Sequence, residues 1–333
     1  MPSAERGIVS TPPGSISQAN RTGKSSARSN AEPETSTTSE YGLKPMGGEK
    51  VALWLMLTPT LIGLLFGVLG SIVATLTLSF AKWDLLTPPS WTGWVNYIAL
   101  FNDAKLFKSL VNTFTFSLLY VPSVVIVSLL VAVLLNRKIR GISIFRTFFF
   151  LPAVTSAVAT ALVWNMIYGK DTGILNYFIQ SLGGQPVCWL CTDKVLFALV
   201  IVNVWGAIGE GMIIFLAGLT AVPRDYYEAA MLDGASAIQQ FFRITIPLVT
   251  PSIFFQTLMS TINAFQAYDY IYMLTRRGQG DSSFPVVVYS IYRNAWTFFN
   301  YGGASAQAVE LSVFVIILMA FYFWLEKRYV VYE

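Results

Sequence analysis

An all-α integral membrane protein with six transmembrane helices is the fold class this sequence predicts, and three observations carry the expectation. Of its 333 residues, 54% are hydrophobic and only 12% are charged, well under the roughly 25% charge of soluble domains. The apolar residues stand in long runs rather than on one face of each helical turn, and six of those runs suit the about 20 residues that a helix needs to cross a bilayer. Between the fourth and fifth runs lies a polar, cappable, amphipathic segment, residues 222–251. It reads as a docking element at a membrane face.

The composition also excludes classes of function. There is no histidine, which removes Ser-His and Cys-His nucleophile pairs, haem ligation by histidine and HExxH zinc chemistry together. Two cysteines cannot complete a four-ligand zinc site. No catalytic residue, metal site or cofactor is therefore assigned to this chain. The net charge of +4 is scattered over tails and loops, without the basic stripe that nucleic-acid binding requires. Gly23-Lys24-Ser25 ends like a phosphate-binding loop, but Gln18 stands in the place of the upstream glycine and no strand precedes it. ATP is not expected to bind there.

Taken in order, residues 1–50 are rich in Ser, Thr, Gly, Pro and Asn and lack an apolar run, so a disordered cytoplasmic tail is expected. The tail also lacks the apolar core of a signal peptide. Residues 51–333 form the transmembrane domain. The first span covers about 51–80, followed by a polar, Trp-containing loop, 81–109. The second span, about 110–135, ends at Asn136-Arg137-Lys138-Ile139-Arg140-Gly141, and four basic residues fall between Arg137 and Arg146. The positive-inside rule places this loop in the cytoplasm.

The third span is expected at 144–168, an outer loop at 169–194, the fourth span at 195–220 and the docking loop, inside, at 221–247. The fifth span, 246–271, leads to an outer loop with Gly278, Gly280 and a Phe284-Pro285 step, in which 286–296 reads as a short re-entrant or interfacial helix. The sixth span, 308–325, ends at Glu326-Lys327-Arg328. Both termini are then cytoplasmic.

In the docking segment, Pro223 suits the first turn of a helix and Gly234 the left-handed position just past its end, which predicts a helix over 223–233. A second helix is expected from Ala235, with Pro247 bending or restarting the chain. Glu228 alone is a solvated surface charge. Its setting points to docking, because Ala229 and Ala230 leave room for close approach while Tyr226, Tyr227 and Met231 offer interface anchors.

Glu228-Ala229-Ala230, Gly234, Ile244 and Ile246-Pro247 resemble in spacing the EAA motif of the membrane-spanning subunits of ABC importers. The wording DYYEAAMLDGAS…FFRITIPL resembles the carbohydrate-uptake branch, the maltose and glycerol-phosphate type permeases. Ile246 departs from the leucine usual there. The resemblance runs from about Val51 to the C-terminus, and Arg146-Thr147 with Leu151-Pro152, and Tyr301-Gly302-Gly303-Ala304-Ser305-Ala306, share in it.

The resemblance implies a type I ABC importer permease with a cytoplasmic EAA-type coupling helix between spans four and five. The coupling residues would be Tyr227, Glu228, Ala229, Ala230, Asp233, Gly234, Ile244 and Pro247. It implies a carbohydrate or polyol solute, alternating access and a place in the cytoplasmic membrane. The implied partners are a second homologous permease, two cytoplasmic ATPase subunits that hold ATP and magnesium, and an extracytoplasmic solute-binding protein. An ion-coupled secondary transporter or channel is the alternative. It predicts paired intramembrane acids or bases along an ion path and leaves the docking motif unexplained.

Candidate pathway residues follow from polarity inside the spans. Glu210 sits about ten residues from the inner end of the fourth span, where an ionisable group costs roughly 2.5 to 3.5 kcal/mol. It needs a partner or a wet cavity, and the three neighbouring glycines, Gly206, Gly209 and Gly211, imply close helix approach. Seven residues earlier, Asn203 lies about two turns away on the same face, while Trp205 points about 200° elsewhere. The resemblance puts a substrate-contacting Asn at 203, and an interhelical hydrogen bond is the plainer reading. The fifth span carries Ser260, Asn263, Gln266 and Asp269 three apart, a slowly drifting stripe. Ser260 matches a cavity-lining serine of the maltose type, whereas Ala264 and Ala267 replace its asparagines. Thr155 and Ser156 are further candidates. Cys188 and Cys191, on the outer side, are either a local disulfide staple or two free thiols.

Overall fold

The structure is a computed structural model that describes residues 47–137, 140–191, 194–276 and 286–330. Most of the expected tail, Lys138 and Ile139, and the Gly278, Gly280 and Phe284-Pro285 positions lie outside these residues. The chain divides into two units after Leu57. Helix begins at Gly47, inside the expected tail, and the packing described below belongs to the unit from Thr58 onward.

Helix α1 (Gly47–Ile62), a π-helical stretch (Gly63–Leu69) and α2 (Gly70–Leu78) follow one another without a break. No residue from Gly63 to Leu78 is buried, although the stretch is mostly apolar, so it calls for lipid or another chain around it. The loop beyond is folded. Strands β1 (Ala81–Lys82) and β2 (Ser90–Trp91) pair antiparallel, Ala81 opposite Trp91, and α3 (Val95–Phe101) follows. Phe80 anchors them, its ring 5.7, 5.1 and 5.3 Å from those of Trp91, Trp94 and Tyr97.

Next come α4 (Ala104–Leu135), α5 (Ile142–Val154), α6 (Ala157–Ile167), α7 (Ile174–Ser181) and α8 (Val195–Ala221). Asp103 caps α4 by accepting from the Lys105 N–H at 2.8 Å, the usual remedy for an orphan amide at a helix start. At the other end of α4 the Arg146 guanidinium donates to the Leu135 carbonyl at 2.9 Å. The polar segment holds α9 (Arg224–Leu232), α10 (Ala237–Gln240), a π-helical stretch (Phe241–Thr245) and α11 (Ile246–Leu248). Then follow α12 (Thr250–Phe265), α13 (Asp269–Arg276), α14 (Val287–Trp296) and α15 (Tyr301–Tyr329).

Among the described residues, four continuous helical stretches are long and apolar enough to cross a bilayer, and two bent pairs reach that length only together. The third expected span is one of these pairs, α5 and α6, bent by 98°. Pro152, in the last turn of α5, has no N–H for the Phe148 carbonyl and so weakens that turn, the Thr155 hydroxyl bonds back to the Leu151 carbonyl at 2.9 Å, and Thr155 and Ser156 are extended, with ψ of 139° and 131°. The fifth expected span, read as continuous over 246–271, is broken twice. A 68° bend falls at Val249, two residues after the expected Pro247, and the helix stops again after Phe265 before α13 begins at Asp269. The short helix expected at 286–296 is present as α14, tied to α4 where the Val287 N–H donates to the Thr113 hydroxyl at 3.0 Å.

Helix α8 is the hub: α4, α5 and α12 all pack on it, and α12 also packs on α4. In lipid the hydrophobic effect gives apolar helices little reason to associate, so close fitting holds them. Gly209 shows how close, since a Cβ there would stand 2.8 Å from both the Phe149 carbonyl oxygen and the Phe150 Cα. One buried cluster joins Phe116, Val124, Leu199, Val202, Ile271 and Leu274. A second joins Ala132, Met212, Phe215, Leu219, Val222 and Val249, and it is from this end that α9 departs.

Candidate functional site

Two features stand out, a polar cavity and the polar helical segment. The cavity, about 380 Å³, is lined by Tyr120 of α4, Pro152 and Ala153 of α5, Asn203, Gly206, Ala207 and Glu210 of α8, Asn263 of α12 and the run Gln266 to Tyr270. Asn203 and Glu210 thus share it, as their seven-residue spacing demands, one about 10 Å along the helix from the other. The Asn203 amide donates to the Leu199 carbonyl of its own helix at 2.8 Å. An amide has two N–H groups and an acceptor oxygen, so capacity is left for a solute hydroxyl. Trp205 is not in the cavity; its ring packs edge-on to Trp164 at 5.8 Å.

The drifting stripe is only partly in the cavity. Asn263, Gln266 and Asp269 line it. Ser260 does not: it is 1% exposed and accepts from the Gln256 amide at 3.0 Å. A step of three residues turns a helix 60° short of a full circle, so the stripe's first member has rotated into the core. Ala264 is buried beside it, while Ala267 lines the cavity. Thr155 and Ser156 fall at the α5–α6 break and are not among the lining residues.

Sequence reasoning missed the aromatic walls, Tyr120, Tyr268 and Tyr270. Tyr120 had no local signal. The other two had one in Ala267-Tyr268-Asp269-Tyr270, a polar aromatic run at an apolar span's end, and it takes the break after Phe265 to turn that run toward α8. Tyr268 is steadied by stacking on Tyr272 and leaning on Tyr292, both at 5.1 Å.

The polar segment folds as a helix, turn and helix. Helix α9 starts one residue later than expected, with Pro223 just before it in extended conformation, φ −59° and ψ 138°. Its end is closed by the Gly234 N–H to the Met231 carbonyl at 3.1 Å and the Ala235 N–H to the Ala230 carbonyl at 2.9 Å. Gly234 has φ +79°, the left-handed conformation that glycine adopts without a steric penalty. The second helix begins at Ala237 rather than Ala235, because Ser236 and Gln239 form a capping box that satisfies two orphan amides reciprocally.

The expected coupling residues divide by side. Glu228, Ala229, Asp233 and Gly234 are exposed, whereas Tyr227, Ala230, Ile244 and Pro247 are half-buried. Tyr227 is therefore a root of the element rather than one of its outward anchors: it packs on the second buried cluster, as does Phe241. The outward face carries Tyr226, Met231, Leu232, Ile238 and Phe242, each large, apolar and exposed. Large apolar side chains left exposed on a polar segment are suited to a protein contact.

Cys188 and Cys191 are joined in a disulfide, so the staple alternative holds. Asn176, 1% exposed, organises this loop by donating to the carbonyls of Gly169, Lys170 and Val187 and accepting from the Val187 N–H and the Trp189 indole.

Residues 189–331 match the family described as the binding-protein-dependent transport system inner membrane component. The chain is 37% identical over 291 residues to a probable ABC transporter permease protein of Bacillus subtilis, YesP, spanning 86% of this chain and 93% of that protein. It is 31% identical over 268 residues to the trehalose/maltose transport system permease protein MalF of Thermococcus litoralis, spanning 80% and 89%. In fold it is similar to a bacterial ABC transporter involved in the import of the acidic polysaccharide alginate, with a TM-score of 0.75 at 23% identity over 84% of this chain and 96% of that one. The chain thus has the type I ABC permease fold and belongs to the ABC transporter permeases, the inner membrane components of binding-protein-dependent transport systems.

Proposed function

We propose that this chain is the permease subunit of an importer for a sugar, polyol or related carbohydrate, working by alternating access in the cytoplasmic membrane. The observation that carries the solute class is the cavity. Amides from α8 and α12, phenols and carboxylates converge there, and such groups exchange donor and acceptor contacts with hydroxyls while aromatic walls suit a sugar's C–H faces. The relative named for trehalose and maltose supports this reading. The acidic polysaccharide named for the structural neighbour does not carry over, since likeness at 23% identity is a likeness of fold.

The family description supports a solute-binding protein as partner. No ATP-binding site is assigned to this chain, so two ATPase subunits carrying ATP and magnesium supply the energy, and a second homologous permease completes the membrane domain. Six spans result when each bent pair counts as one. The basic loop that includes Arg137 and Arg140, both termini and the α9–α10 element then face the cytoplasm. There α9 acts as the coupling helix. Glu228, Ala229, Asp233 and Gly234 face the ATPase, while Tyr227, Ala230, Ile244 and Pro247 fix the element to α12. Closure of the ATPases moves α9, and α11 and α12 carry the motion to the Asn263–Gln266 wall of the cavity.

Two acids and broken helices are also what an ion-coupled carrier shows. The two readings separate in proteoliposomes holding the whole complex with its binding protein, assayed with labelled neutral oligosaccharides and polyols. Uptake should require ATP and persist when proton and sodium gradients are collapsed. Uptake that follows an ion gradient and ignores ATP would overturn the importer reading.

A further inference from the structure

The charge of the cavity carries a narrower conclusion, which rests on the cavity being the solute path. Among its lining residues Glu210 and Asp269 are charged, both acidic, both exposed to the cavity side of their helices, and no lysine or arginine accompanies them. They come from different parts of the chain, α8 and the start of α13, and only the helix break after Phe265 brings the second to the first. We propose that this cavity holds a negative potential that admits uncharged polyhydroxy solutes and turns away anionic ones, so that neutral sugars and polyols pass while uronates and sugar phosphates are refused.

The physical basis is simple. An ionised carboxylate only accepts hydrogen bonds, and sugar hydroxyls supply donors in plenty. A solute carboxylate or phosphate supplies acceptors instead and adds a third negative charge between low-dielectric walls, where like charges repel far more than in water. The remaining lining groups do not offset this. The amides of Asn203, Asn263 and Gln266 and the tyrosine hydroxyls are neutral and serve a hydroxyl in either direction.

The test needs no knowledge of the solute. In the purified whole complex, a cysteine placed at Ala267, which lines the cavity, is reacted with three small methanethiosulfonates, one neutral, one bearing a sulfonate and one a quaternary ammonium. The same complex without the added cysteine gives the background, the native pair being disulfide-bonded. Relative to a free thiol in the same buffer, the neutral reagent should react normally against its own reference, and the anionic one at least tenfold more slowly in proportion. In the Glu210→Gln, Asp269→Asn double variant that deficit should shrink to under about threefold. A sulfonate-to-neutral ratio equal to that of the free thiol, or one unmoved by the double variant, overturns the proposal, and so does failure of all three reagents to reach the site. Ala207→Cys, on α8 and also lining the cavity, serves if the first position impairs assembly. The ratio is read without transport, so its failure leaves the importer reading standing. Loss of ATP dependence in the uptake experiment would remove that reading and leave the ratio intact.

Discussion

The phenol oxygen of Tyr227 lies 3.0 Å from the hydroxyl oxygen of Thr245, a hydrogen bond between α9 and the π-helical stretch that leads into α12. Thr245 is buried, 6% exposed, and its other contact, to the Gln240 carbonyl, is long at 3.5 Å. A helix of nine residues is too short to be stable alone in water, so this bond and the packing of the Tyr227 ring hold α9 at a fixed angle to the spans. Tyr227→Phe keeps the ring and removes the bond, at a cost of about 0.5 to 1.5 kcal/mol. Insertion and ATPase co-purification should be preserved and uptake reduced severalfold. Transport at the wild-type rate, measured beside co-purification, would show that α9 is positioned by packing alone.

Gly234 gives a second expectation. A Cβ there would meet nothing within 4 Å, so the penalty for Gly234→Val is conformational, roughly 1 to 2 kcal/mol for a side chain at φ +79°. The variant should insert normally, because no apolar span is touched, and should lose ATPase docking and transport. Gly234→Asn, with a side chain that tolerates the left-handed region, should keep much of both. Equal behaviour of the two variants in co-purification and uptake would remove the turn from the coupling mechanism.

In the cavity, Asn203→Leu should abolish uptake while the complex still assembles, since the lost amide faces the solute path and its other bond stays within its own helix. Trp205→Phe, by contrast, alters a ring packed on Trp164 outside the cavity. It should lower thermal stability modestly and leave the range of accepted solutes unchanged. Solute competition profiles and melting curves of the two variants check this.

Arg140 tests the orientation. A cysteine at this exposed loop position, with Cys188 and Cys191 left in their disulfide, should react with an impermeant maleimide only after the membrane is opened. Labelling from outside in sealed cells would sink the arrangement in which this loop and α9 share the cytoplasmic side.

Elements whose cause is local were legible in the amino-acid order. Apolar runs long enough for a bilayer made the four continuous helical stretches of that length, Gly234 made the turn after α9, and a seven-residue interval on a continuous helix put Asn203 and Glu210 on one face and Trp205 on another. Each depends on one continuous stretch of chain. The tertiary structure decided what depends on neighbours far along the chain. Span three bends by 98° and span five stops twice, and these breaks turn Asp269 and Tyr270 toward α8. Rotation along α12 takes Ser260 into the core against Gln256, and Tyr227 faces Thr245 and the interior rather than outward. Periodicity gives a residue's angle about its own helix axis. It does not give the direction of the next helix, because that is fixed by which surfaces meet, and here they meet around α8.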